Sequence, residues 1–405
     1  MMHSELVERR RWISEARFLH ALNYCMLLPG PEAQQLAIYV GWLLHRTWGG
    51  IVAGTLFVLP SAVILWVLSY VYVAYGTVPW VVAVFEGLKP AVLAIVVAAV
   101  IRIGRKALKN EIMWSISALA FGALFVLNVP FPFVVIGAGL IGWVGGLLLP
   151  RKFAVIEAHG SSAVASVVDD RAGREAAVKP SLVRALKVLS TCLALWWAPL
   201  LLVGLWLGWN HTVFREAVFF SKAAMVTFGG AYAVLPYVSQ QAVESYGWLT
   251  AGQMLDGLAL AETTPGPLIM VLQFVGFLGG WNHPGTLSPL LAATLGAAVT
   301  TWATFVPCFM WIFLGAPYIE LLRGNVRLSA ALSTVTAAVV GVVFNLAVWF
   351  ALHVLFPAAG HVNGFAAGIT IAAFLCLLVW RWSVFQVVLG AGLVGLLNGL
   401  LFPPG

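Results

Sequence analysis

Charge is scarce in this chain: Asp, Glu, Lys and Arg supply 9% of 405 residues, whereas 61% are hydrophobic and the mean hydropathy is +0.97. A soluble globular domain cannot cover its surface with so few charges, which excludes that class and leaves a polytopic membrane protein. Cysteine is rare too. Cys25, Cys192, Cys308 and Cys376 lie far apart in apolar runs without a CxxC pair, so they read as small buried hydrophobes and not as a disulfide framework or metal ligands. There is no GxxxxGK[ST] run, no HExxH and no GxSxG elbow, and His3, His20, His45, His159, His211, His283, His353 and His361 are scattered. Nucleotide hydrolysis, zinc-dependent chemistry and a serine nucleophile therefore have no sequence basis, and an intramembrane enzyme is a remote alternative. No metal and no cofactor are expected. The first 17 residues carry Glu5, Glu8, Arg9, Arg10 and Arg11 with no apolar core and do not read as a secretory signal peptide.

What the chain has in abundance is apolar runs. They lie at about 18–44, 50–75, 80–101, 112–128 and 131–149, and again at about 185–208, 215–238, 249–280, 288–315, 328–356, 363–380 and 383–402. Between the two sets, residues 150–184 change character, with Arg151, Lys152, Asp169, Asp170, Arg171, Arg174, Glu175 and Lys179 among small polar residues. The predicted organisation is a first repeat over 1–149, a polar linker over 150–184, a connecting membrane helix over 185–214 and a second repeat over 215–405. The formal net charge of +7, with 18 Trp and 24 Phe, fits basic cytoplasmic loops and interfacial aromatic belts; the lipid bilayer, not a nucleic acid, is the expected partner.

Two of the runs are interrupted by the same tripeptide, Pro29-Gly30-Pro31 and Pro265-Gly266-Pro267. Proline lacks an amide donor and pushes its predecessor out of the helical region, so each tripeptide predicts a break between two half-helices. A break at membrane depth exposes backbone groups that lipid cannot satisfy and survives only inside protein or beside a polar cavity. The surroundings of the two breaks repeat. Residues 7–31 laid on 243–267 at an offset of 236 match at Val7/Val243, Glu8/Glu244, Trp12/Trp248, Leu19/Leu255 and Leu22/Leu258 as well as the tripeptide. An offset of 247 then pairs Pro60 with Pro307. The fold class predicted is an all-α polytopic membrane protein of two homologous helical-bundle halves, arranged as inverted repeats. The segment bearing Phe228-Gly229-Gly230 lies within an apolar run, and its partner at this offset would fall before residue 1, so the first half is expected to lack one membrane helix.

Loop charge leaves the topology open. If each broken segment crosses once, Arg46, Arg102, Arg105, Lys106, Lys109, Arg323, Arg327 and Arg381 share one face, but Arg9, Arg10, Arg11 and Arg17 fall on the other. Hairpins at the breaks would bring those four to the cytoplasmic face and remove Arg323, Arg327 and Arg381 from it.

The run Glu5-Leu6-Val7-Glu8-Arg9-Arg10-Arg11-Trp12, followed by Leu28-Pro29-Gly30-Pro31-Glu32 and His45-Arg46-Thr47-Trp48-Gly49-Gly50, closely resembles the long-chain chromate transporter family. Thr227-Phe228-Gly229-Gly230-Ala231-Tyr232 and Glu262-Thr263-Thr264-Pro265-Gly266-Pro267 carry the same resemblance into the second half. It implies a multi-pass protein of the bacterial inner membrane with two oppositely oriented halves, exporting chromate and conferring chromate resistance. Sulfate or another oxyanion is the alternative substrate, and assembly into a homo-oligomer is left open.

Half-helix N-termini at the two breaks would present unpaired amides and about half a positive charge each, a ready anion site. Pro31 and Pro267 are expected at the first position of the helix that follows, where proline is best tolerated. Substrate contact is therefore expected from Pro29, Gly30, Pro31, Pro265, Gly266 and Pro267. The amide donors of Gln34 and Gln35, the hydroxyls of Thr263 and Thr264, and the close approach allowed by Phe228, Gly229 and Gly230 are expected to add to it. Capping of the broken backbone and close helix packing explain the same residues equally well. Lys222 and Lys89 are basic residues within apolar runs and hence candidates for the balancing charge; snorkelling near Arg215 and pairing with Glu86 are the structural alternatives. Glu32 and Glu262 flank the breaks and are candidates for proton coupling, with capping or a surface ion pair as the plainer role.

Overall fold

In hydrocarbon a segment must satisfy its own backbone, which a helix does alone. The structure, a computed structural model that describes residues 2–153, 181–316, 326–356 and 362–402, is built of helices and contains no strand among those residues. They are α1 (Glu15–Leu27), α2 (Glu32–Tyr75), α3 (Pro79–Ala107), α4 (Glu111–Phe125), α5 (Phe131–Leu148), α6 (Leu182–Leu207) and α7 (Thr212–Val226), then α8 (Ala231–Gln240), α9 (Ala251–Thr263), α10 (Val271–Asn282), α11 (Pro289–Gly315), α12 (Val326–Leu355), α13 (Gly364–Leu378) and α14 (Val384–Leu401). A single turn at Pro150–Phe153 follows α5. Most of the expected polar linker, with His159, Arg323 and His361, lies outside the described residues.

Among the described residues seven helices are long and apolar enough to cross a membrane: α2, α3, α5, α6, α11, α12 and α14. The chain is a polytopic helical membrane protein. Helices α4, α5, α6 and α14 turn large apolar side chains such as Leu119, Phe133, Leu202 and Leu397 outward, as lipid-facing helices do. The opposite extreme is α10, in which every residue from Val271 to Gly280 is buried. It packs against α11, and α12 packs against α3, α4 and α5. Local chemistry sets the starts: Thr250 and Gln253 form a reciprocal capping box for α9, Ser383 and Gln386 do so for α14, and Asn110 accepts from Met113 N at 3.0 Å to open α4.

The stretches matched at offset 236 fold alike. Trp12 N donates to Leu6 O and Trp248 N to Ala242 O, both at 2.8 Å, closing π-helical turns at Ser4–Arg9 and Gln241–Ser245. Helices α1 and α9 have matching bounds, and each ends on one bond, Leu28 N to Cys25 O at 3.2 Å and Thr264 N to Ala261 O at 3.3 Å. After the breaks each half continues as a shorter helical stretch and then a long one. In the second half, α10 and α11 are separate helices joined by a loop. In the first, α2 is itself two helical stretches that meet at a reversal, at His45 (φ −138°, ψ 29°) and Arg46 (φ 54°, ψ −145°). Gly41 and Gly49 face each other across that reversal, and a methyl on Gly41 would lie 2.8 Å from Ala53 Cβ.

Two expectations are corrected. The apolar run at 215–238 is not one helix: it breaks over 227–230, where Gly229 and Gly230 take φ +79° and +93°. Apolar character alone does not show a break that contains no proline. Pro31 directly precedes α2, and Pro267 directly precedes the 3-10 turn Leu268–Met270 that leads into α10; neither opens its helix, because both are extended, with ψ 106° and 132°. Preceding helical geometry by one residue leaves the next amides unpaired just the same.

Candidate functional site

Each Pro-Gly-Pro bends through a left-handed glycine, Gly30 at φ +123° and Gly266 at φ +150°. An L side chain rarely adopts such a backbone, so glycine is required by conformation and, as it turns out, by space. A methyl on Gly30 would lie 2.7 Å from Cys308 Sγ, and one on Gly266 would lie 2.6 Å from Ser61 Cβ. Ser61 follows Pro60 on α2 and Cys308 follows Pro307 on α11, the proline pair matched at offset 247. Each break therefore rests on the proline-bearing long helix of the other half.

The glycine pair of the third break joins them. Gly30 N donates to Thr227 O at 2.7 Å, tying the first break to the irregular turn that carries Phe228, Gly229 and Gly230. Two residues beyond it, Tyr232 Oη donates to Glu262 Oε1, three residues before Pro265. Arg102, on α3, lies within electrostatic range of both Glu262 and Tyr232. So the structure brings Pro29, Gly30, Pro31, Phe228, Gly229, Gly230, Glu262, Pro265, Gly266 and Pro267 into one linked region.

The remaining expected residues separate. Gln34 is buried in the first turn of α2, and both its amide nitrogen and its oxygen lack a partner among the described residues. Gln35 spends its Nε2 on Pro29 O at 2.9 Å, which braces the break. Thr263 and Thr264 donate back to Leu260 O at 2.8 Å and Ala261 O at 2.9 Å, so their hydroxyls are used within their own helix. Glu32 is half-buried at the first position of α2. Lys222 is exposed on α7. Lys89 pairs with Glu86 at 2.6 Å and sits against Gly252 at the start of α9, the end remote from the break. Near that same end, a cavity of about 600 Å³ lined by Thr250, Gln253, Asn282 and His353 opens, away from the tripeptides.

Sequence reasoning missed three residues here. Ser61 Oγ is buried without a partner among the described residues, and the offset that pairs Pro60 with Pro307 was its only signal. Tyr232 stood inside a quoted motif with no role. Asp256, 4% exposed, accepts from Tyr72 Oη at 2.9 Å near Lys89, and nothing local marked it. Because a hydrogen bond to a charged group contributes about 1.5–3 kcal/mol, Tyr232→Phe is expected to destabilise the protein by about that much. Thermal unfolding in detergent reads this directly, and the effect should largely disappear in a Glu262→Gln background.

A family profile described as chromate transporter matches residues 1–143 and 214–396. A chromate transport protein of Pseudomonas aeruginosa is 34% identical over 409 residues, covering 100% of this chain and 87% of the relative. One of Cupriavidus metallidurans is 29% identical over 397 residues, covering 98% and 86%, and a probable chromate transport protein of Synechococcus elongatus is 29% identical over 343 residues, covering 84% and 76%. No solved structure matches the chain. With the profile spread across both halves and including both breaks, this chain belongs to the chromate transporter family and is a transport protein, not an enzyme.

Proposed function

We propose that this protein exports chromate across the bacterial inner membrane, giving chromate resistance, through an anion site between the two Pro-Gly-Pro breaks and the Phe-Gly-Gly turn. One observation carries the reading: each break leans on the long helix of the other half, the first is hydrogen-bonded to the Phe-Gly-Gly turn, and the unpaired Gln34 amide is buried in the helical turn that follows it. Two half-helix ends supply roughly one unit of positive charge against a dianion. Arg102 supplies more from α3, which Lys89 and Lys222 do less readily from where they lie. The reciprocal packing of each break on the other half's long helix also supports two inverted repeats, with the boundaries 1–149 and 215–405.

Export of a dianion is downhill. Moving it out of a negative-inside cell gains roughly 4–5 kcal/mol per 100 mV, so the membrane potential alone drives efflux, and proton exchange through Glu32 or Glu262 adds to it. Cells expressing the chain should accumulate less chromate than cells without it, and unchanged accumulation counts against export. In vesicles, competition by sulfate distinguishes a chromate exporter from a general oxyanion transporter. Equal proton coupling in Glu32→Gln and Glu262→Gln would remove those two carboxylates from the mechanism.

A further inference from the structure

Glu216 is fully buried on α7, and neither carboxylate oxygen has a hydrogen-bond partner among the described residues. It is wedged into the seam between α10 and α11: a methyl on Gly296 would lie 2.6 Å from Glu216 Oε2, and one on Gly279 would lie 3.3 Å from Glu216 Cδ and 3.2 Å from Trp248 Cγ. Two glycines and an indole make room for this side chain and offer it no donor. An ionised carboxylate buried without a partner costs several kcal/mol, so in this packing the group holds a proton.

No charge in the seam compensates. Helix α10 has no titratable residue, and α11 has only Cys308, three turns beyond Gly296. Titratable groups beside the seam are engaged elsewhere or exposed: His283, just past α10, contacts Gly247 O through Nε2 at 3.0 Å, and Lys222 on α7 is exposed. His211 at the start of α7 contacts Pro284 O at 3.2 Å, Arg215 is exposed, and Tyr246 stacks on Trp248 with 4.4 Å between ring centroids.

From Glu216 a row of buried polar groups leads to the breaks. On α11, Gly296, Thr300, Thr304 and Cys308 recur every fourth residue and so share one face, spanning about 18 Å. Thr300 Oγ1 is unpaired, Thr304 Oγ1 donates to Thr300 O at 2.8 Å, and Cys308 abuts Gly30 of the first break. A branch leads to the second break: Thr301 Oγ1 donates to Gln273 Oε1 at 3.0 Å, Gln273 Nε2 donates to Ala62 O at 2.7 Å, and the adjacent Ser61 abuts Gly266. A metal cation would need several converging oxygens, which this seam does not supply.

We propose that Glu216 is a proton-binding site of the transport cycle, coupled to the anion site along the Thr300–Thr304 face of α11. The inference rests on the anion site described above. When oxyanion binding repacks the breaks, the α10–α11 seam shifts and admits water to Glu216, so that the carboxyl O–H bond breaks with the proton passing to a water molecule and re-forms by taking a proton back from water when the seam closes.

The test uses the full chain in proteoliposomes. Glu216→Gln keeps the shape and the neutral state, so it is expected to retain chromate–chromate exchange while losing at least about tenfold of chromate-coupled proton movement. Thr300→Val with Thr304→Val, which alters the face of α11 between Glu216 and the first break, should do the same. Wild-type proton coupling in Glu216→Gln overturns the proposal, as does equal stimulation by a sodium gradient in place of a proton gradient, or a variant that loses exchange along with coupling. An infrared difference spectrum provides a readout independent of chromate. A protonated-carboxyl band that titrates in the wild type and is missing from Glu216→Gln supports the site even if the chain carries another oxyanion, and identical spectra overturn it.

Discussion

Gly30→Ala and Gly266→Ala, each made alone, are expected to lower chromate efflux by more than about tenfold with the protein still inserted in the membrane. At φ +123° and +150° an alanine costs about 1–3 kcal/mol of backbone strain, before the clash with Cys308 or Ser61. A break held from both sides relieves that strain only by moving, and the amides around it move too. A displacement of this kind at an anion site is worth more than the 1.4 kcal/mol that makes a factor of ten. Chromate accumulation in cells, normalised to the amount of protein in the membrane, reads the result. Adding Cys308→Ala to Gly30→Ala removes the collision but not the left-handed backbone, so recovery should be partial. Full recovery would mean that steric fit alone, and not the geometry of the break, sets activity. Wild-type efflux in both single variants would end the assignment of the breaks as the anion site.

Gln34→Leu separates function from stability in the opposite sense. A buried amide without partners costs about 1–3 kcal/mol in the resting protein, so a leucine of similar volume should raise the thermal unfolding midpoint. The same substitution removes donors that the anion would use, and chromate transport should fall by about tenfold or more. A residue that served only as packing would show greater stability with unchanged transport. Gln35→Leu gives the contrast. Its Nε2 already braces Pro29 O at 2.9 Å, so stability and transport should fall together.

The breaks were legible because proline and glycine act through their own backbone, and the repeat was legible because two matched tryptophans precede them at a fixed distance. The third break was not. Thr227-Phe228-Gly229-Gly230 lies in an apolar run without proline, and a glycine pair is as compatible with a tight helix contact as with a left-handed turn. Charged residues pose a similar problem. The rule that an intramembrane charge is functional picked out Lys222 and Lys89; Lys222 is exposed and Lys89 is paired with Glu86, whereas Glu216, six residues before Lys222, is enclosed without a partner among the described residues.

The amino-acid sequence by itself determined the membrane class, the positions of the two proline breaks and their equivalence, all of which follow from composition, local backbone chemistry and internal spacing. Only the tertiary structure decided that Gly30 meets Cys308 and Gly266 meets Ser61, that Tyr232 binds Glu262, and that Glu216 is sealed between Gly279 and Gly296. Those contacts join residues tens to hundreds of positions apart. They depend on which helix faces meet, a property of packing that neither hydropathy nor spacing along one segment encodes.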